Sequence, residues 1–224
     1  MSALLAVFLA MAGPALADVF PSASYYEGSD TSAFKKQLTV SFVNVRGSGW
    51  TRDQAERQFE RVVRVWAQCG IRFADAEYFE LNPPAGTPNF LKFHAGESGS
   101  IEELGGANPS DVRPVFYLIG AIADMDDDAG PFSRADFFAG PNGDPVLFNS
   151  VFMPHYVNQP RFEQDRALSP YSVAAHELWH ILTREGQHYN ESPAHLGNIW
   201  RTRSDFIAPR DCQLANVNPL LKRL

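Results

Sequence analysis

Four of the six histidines lie between positions 176 and 195, and two of them frame the run His176-Glu177-Leu178-Trp179-His180. This spacing constrains the chain more than any other feature. On a helix, residues four apart sit about 40° apart around the axis and about 6 Å along it, so both imidazoles face one side. At that separation two ring nitrogens can share one zinc ion at roughly 2.0 to 2.1 Å, and Glu177 can turn its carboxylate to a water held by the metal. Each residue type has its own reason. Neutral imidazoles leave the charge of zinc uncancelled, so it remains a strong Lewis acid; a carboxylate can take a proton from water and pass it to a leaving amine.

A catalytic zinc needs a third protein ligand. On a continuing helix His188 would lie about 12 Å beyond His180, too far to share its metal, but a reversal at Glu185-Gly186-Gln187 brings it back. His188 is therefore the first candidate, with His195 and Glu191 as the alternatives. Tyr189, beside it, can either donate a hydrogen bond to an oxyanion or simply pack.

The chain around this motif reads as one α+β domain with a single mixed sheet. Alternation from Leu38 to Val45 predicts a half-buried strand and the start of the fold. Thr51 to Gln54 has the form of a capping box, and Ala55, Phe59, Val62, Val63 and Trp66 recur at helical spacing. Further strands are expected over 71–79, 90–94, 114–122 and 146–152. Ser169-Pro170 marks the start of the motif helix, which is expected to run to about Arg184, with Gly186 in the left-handed conformation that ends it. A last helix is expected around Pro209 to Val217. His94 and His155 read as ordinary half-buried histidines.

The balance of charge, 19 Lys and Arg against 26 Asp and Glu for a net charge of −7, excludes a chain built to neutralise phosphate, so no nucleic-acid partner is expected. Asp124, Asp126, Asp127 and Asp128, with Asn142-Gly143-Asp144, offer oxygen ligands of the kind calcium takes, but the spacing is not that of an EF-hand and a solvated acidic loop is the better account of it.

The apolar run Leu4 to Met11, followed by Gly13, Pro14 and Ala15-Leu16-Ala17, reads as a signal peptide over 1–17 and is too short to span a bilayer. Residues 18–37 then form an N-terminal segment, and 38–224 the catalytic domain. Secretion or periplasmic export, with no membrane attachment after cleavage, agrees with the cysteine usage: Cys69 and Cys212, the only two, are expected to be joined.

The stretch from Ala175 to Leu182, followed by a glycine and His188, resembles the metzincin clan of zinc metallopeptidases, particularly its small secreted bacterial matrixin-like members. The resemblance implies a twisted mixed sheet backed by a long helix, an active-site helix, a glycine turn, a third histidine, a Met-turn and a small C-terminal subdomain. That order matches the elements read over 38–217. In the clan pattern HExxHxxGxxH the glycine and third histidine fall where this chain has Thr183 and Gly186, so the turn to His188 is longer. Gly197-Asn198-Ile199-Trp200 resembles the Met-turn run with Trp in place of Met.

The function expected is thus a secreted, monomeric zinc endopeptidase acting on protein or peptide, with His176, His180 and His188 on the metal and Glu177 as general base. Two rival readings are an inactive zinc-binding protein of the same fold and a zinc amidase acting on non-protein amides. A peptide lying along the edge formed by residues 114–122 would favour the endopeptidase.

Overall fold

The computed structural model describes residues 18–27, 31–83, 86–90, 101, 104, 113–122, 132–134, 137–139, 145–147, 149–155, 172–185, 195–197 and 205–224. Its strands are β1 (Asp18–Phe20), β2 (Lys36–Leu38), β3 (Ser41–Val45), β4 (Ile71–Phe73), β5 (Ala76–Leu81), β6 (Asn89–Phe90), β7 (Val115–Ile119), β8 (Ala121–Ile122), β9 (Phe132–Arg134), β10 (Phe137–Ala139), β11 (Pro145–Leu147), β12 (Ser150–Pro154) and β13 (Lys222–Arg223). Its helices are α1 (Arg52–Trp66), α2 (Val173–Thr183) and α3 (Pro209–Asn216).

The main sheet has six strands in the order β1-β5-β3-β7-β12-β9. Its four inner strands run parallel, and β1 and β9 join antiparallel at the two edges. β7, Val-Phe-Tyr-Leu-Ile, is apolar throughout and buried at every position, as a central parallel strand covered on both faces must be. The pleat sorts its residues. Phe42, Phe116, Leu118, Val151 and Met153 face α1 and α2 in one core, while Val43, Val115, Tyr117, Ile119 and Phe152 pack with Phe90, Ile101 and Leu104 in a second. Neighbouring strands align like rings: Phe42 stacks on Phe116 at 4.7 Å and Tyr117 on Phe152 at 5.4 Å. This architecture is the expected α+β mixed sheet.

Several runs read as single strands divide in two. The alternation from Leu38 to Val45 ends β2 in a small sheet, ordered β13-β2-β4, and restarts as β3 in the main one. Two of its polar members, Ser41 and Asn44, are buried, and Asn44 donates to Tyr78 Oη at 2.9 Å and to the Trp50 carbonyl at 3.2 Å. The run 71–79 breaks at Ala74-Asp75, where Asp75 accepts from the backbone N–H and hydroxyl of Ser22 at 2.8 and 3.0 Å. The run 114–122 breaks at Gly120, where a Cβ would lie 2.5 Å from Asn89 Oδ1. β7 also lies inside the sheet, between β3 and β12, so a peptide cannot pair along it as an edge. The edge on that side is β9.

The sheet begins before Leu38. β1 pairs with β5, and Phe20 is fully buried among Phe42, Tyr78 and Phe59. Arg52 Nε donates to Asp18 Oδ2 at 2.6 Å, tying β1 to the start of α1. That helix carries the expected capping box, with Thr51 accepting from the Gln54 N–H and Gln54 accepting from that of Thr51. Its apolar stripe is buried under the sheet, and Trp66 Nε1–H reaches the Ala175 carbonyl of α2 at 3.4 Å.

Cys69, in the turn after α1, is bonded to Cys212 in α3, with Cα atoms 4.9 Å apart. Asn216 Nδ2 braces the bridge by donating to the Cys69 and Cys212 carbonyls at 3.0 and 2.8 Å. The C-terminal chain shares the main core through Ala215, Leu220 and Leu221, and β13 returns to pair with β2. The bridge closes a separation of 143 residues. In the chain-entropy picture such a loop is worth about 5 kcal/mol, and loss of a native disulfide typically costs about 2 to 5. Replacing both cysteines by serine is expected to lower the free energy of unfolding by about 2 to 5 kcal/mol, read as a lower midpoint in equilibrium urea unfolding. Among the described residues no helix is long and apolar enough to cross a membrane.

Candidate active site

Helix α2 carries the motif and is buried at almost every position. Its cap is Ser172, whose Oγ accepts from the Ala175 N–H at 3.1 Å, three residues later than the expected Ser169, which lies with Pro170 outside the described residues. The Ser172 N–H donates to Asp205 Oδ1 at 2.8 Å. Burial raises the Asp205 carboxyl to about 6, against the opposing pull of that N–H and of Arg61. An acid with a raised folded-state value is at ease protonated, so its contribution to stability is lost as pH rises through roughly 4 to 6. Asp205→Asn should therefore exceed the wild type in urea midpoint at pH 7.5, the gap closing as pH falls to 4.

The helix ends at Arg184, which takes the left-handed conformation itself, with φ 58°. Gly186, expected in that role, lies outside the described residues. A non-glycine residue stays there only when its surroundings hold it. Thr183 Oγ1 donates to the Trp179 carbonyl at 2.8 Å and accepts from the Glu185 N–H at 3.3 Å. The turn delivers the Glu185 carbonyl to His180.

That carbonyl lies 2.6 Å from His180 Nδ1, and the Leu196 carbonyl lies 2.5 Å from His176 Nδ1. A carbonyl only accepts, so both Nδ1 atoms carry a proton, and in the neutral rings both Nε2 atoms keep the lone pair that a metal requires. The two rings stand 5.0 Å apart, centroid to centroid, and nearly perpendicular. Burial pushes His180 below its ordinary value and so favours the neutral ring, against the opposing pull of the Glu185 hydrogen bond. His176 and Glu177 are buried, each 5% exposed. The donor chemistry fits zinc: two neutral imidazoles with fixed tautomers on one helix face, and a carboxylate between them.

His195 is engaged by protein partners. Its Nδ1 accepts from the Gly197 N–H at 2.9 Å, and its Nε2 lies 2.9 Å from Asp211 Oδ2. His188, Tyr189, Glu191, Trp200, His94, the acidic cluster 124–128 and 142–144 lie outside the described residues. Among the described residues no three His, Cys, Asp or Glu converge on a metal position, so the pair on α2 is the described part of the site. His155 is half-buried, its ring 6.2 Å from that of Trp50.

Three participants were not visible in the sequence. The carbonyls of Glu185 and Leu196 belong to every residue alike and leave no mark. Asp211 reads as an acid in the first turn of α3, where it would ordinarily serve the helix dipole; its burial comes only from the tertiary fold.

No protein-family model matches this chain, and no curated protein matches it. Among solved structures it is similar to metalloproteinase-II from Bacteroides fragilis, with a TM-score of 0.44 and 14% sequence identity over 82% of this chain and 53% of that one. The chain thus spans about half the length of that protein.

Proposed function

We propose that the chain is a zinc-dependent endopeptidase, exported after loss of residues 1–17, with His176, His180 and His188 as metal ligands and Glu177 as general base. One observation carries the reading. Both motif imidazoles have their Nδ1–H groups held on backbone carbonyls, the hydrogen bonding that orients metal-binding histidines. When bound, zinc supplies a Lewis acid that polarises the scissile carbonyl and makes water acidic at neutral pH. Glu177, at the motif's second position, takes the proton of the attacking water and delivers it to the leaving amine nitrogen. Glu177 is buried, so little bulk water competes for that proton. Tyr189 is assigned a hydrogen bond to the developing oxyanion.

An extended substrate is favoured over a small amide by the position of β9. It is the last described strand of the main sheet, next to β12, and it packs against α2. Its outer side is where a peptide backbone would add as a further strand. Calcium remains a second proposed ion for the acidic cluster. The deciding experiment is zinc analysis of the purified mature chain, together with a peptide-library digest. One zinc per chain and cleavage at internal peptide bonds are expected; a chain that hydrolyses only small amides would make the amidase reading correct.

A further inference from the structure

We infer that Asp211 is a positioning residue for the histidine pair, acting through Trp179 and His195 on the imidazole of His176. Asp211 is 1% exposed, and its Oδ2 accepts from Trp179 Nε1–H at 2.7 Å. The same oxygen faces His195 Nε2 at 2.9 Å. Because the Gly197 N–H donates to His195 Nδ1, the ring proton sits on Nε2 and is donated to Asp211. The Ala208 N–H also points at Nε2, at 3.4 Å, and is the longer and weaker contact.

The carboxylate therefore grips both sides of one contact. On one side is α2, held through Trp179 from inside the motif itself; the indole lies 6.2 Å from the His176 ring and 4.8 Å from that of His180. On the other is the segment 195–197, held through His195 at both ring nitrogens. Leu196 is tied further by its N–H to the Phe206 carbonyl at 2.8 Å, and its own carbonyl receives His176 Nδ1–H. Gly197 lets the segment lie against the indole: a Cβ there would fall 2.7 Å from Trp179 Cζ2. Asp211 thus ties the segment that carries the Leu196 carbonyl to the helix that carries the ring it orients.

A role in holding α3 alone does not account for this placement, because the neighbouring Cys212 already anchors that helix by its disulfide. Asp211 Oδ1 is sealed from solvent with no hydrogen-bond partner among the described residues. A half-satisfied buried carboxylate is unfavourable to the fold by itself, and such local violations concentrate at functional sites.

The inference rests on reading His176 as a metal ligand, but its test does not depend on that alone. In the full, disulfide-bonded chain, Asp211→Asn is compared with wild type by zinc competition against a chromogenic chelator. The His176 ring tautomer is read by long-range proton–nitrogen NMR after chelator treatment. Outer-shell partners typically change metal affinity about 10- to 100-fold. Zinc binding is expected to weaken about 10-fold, and the single Nδ1–H tautomer of His176 to give way to a mixture. His195→Asn keeps an acceptor for Gly197 but cannot reach Asp211, and should move both readouts the same way should Asp211→Asn not fold. Affinity within two-fold of wild type with an unchanged tautomer would overturn the assignment, whatever happens to thermal stability. If wild type binds no zinc, a changed tautomer in Asp211→Asn still upholds the positioning role while the peptidase reading falls; an unchanged one removes both.

Discussion

Glu177→Gln is expected to keep its zinc and lose nearly all peptide hydrolysis. The glutamine has the size and shape of the glutamate, and Glu177 is not assigned to the metal, so the histidine pair and its carbonyl partners should stand undisturbed. An amide cannot accept a proton from water, and a positioned acid–base group typically supplies about 10² to 10⁴ in rate. A fall in kcat/KM of that order, with one zinc per chain in both proteins, is the expected result. Raising the pH should not restore wild-type activity, because the same carboxylate also serves the leaving amine. Cleavage by the Gln variant within a few-fold of wild type, in preparations free of other proteases, would falsify the mechanism. If neither protein cleaves any peptide and both bind zinc equally, the chain is a zinc-binding protein of this fold.

What was legible in the sequence is what depends on local pattern. The capping box at Thr51, the stripe through Phe59 and Trp66, and the histidine spacing on α2 all arise from helical periodicity, which a sequence displays directly. The Cys69–Cys212 bridge followed from there being only two cysteines. Strand boundaries were harder to read. Periodicity cannot show that Leu38 and Ser41 belong to different sheets, because the break at Thr39-Val40 is set by which strands pair. Likewise, only the approach of Asn89 reveals why Gly120 divides an apolar run. β1 was hidden by its brevity: three residues cannot display an alternation, and what holds them is Phe20 in the core and Asp18 on Arg52.

The same division runs through the site. The proposed ligands on α2 are a matter of spacing, while the orientation of their rings is a matter of backbone carbonyls brought from Glu185, five residues on from His180, and from Leu196, twenty residues on from His176. The helix ends at about Arg184, as its sequence predicts, and the left-handed residue there is Arg184 itself, in a turn held by Thr183 and by His180. The turn that closes the helix thus sets the Glu185 carbonyl on the His180 ring and links the shape of the helix terminus to the orientation of that ring.

The largest effect on metal content is expected from His188→Ala. A catalytic zinc takes three protein ligands, and α2 offers two imidazoles with the lone pair on Nε2. The chain turns at Arg184, and four residues of chain span up to about 13 Å, enough for His188 to return to the pair where a straight helix would carry it away. His195 cannot be recruited without giving up both Gly197 and Asp211. His188→Ala should therefore come off a purification column without stoichiometric zinc, whereas His195→Ala should retain the metal with affinity weakened about 10-fold, the size of an outer-shell loss. Glu191→Ala supplies the third comparison. Full zinc in His188→Ala with loss in Glu191→Ala would transfer the third position to the carboxylate, and loss in His195→Ala alone would mean that the bonds to Gly197 and Asp211 give way to the metal.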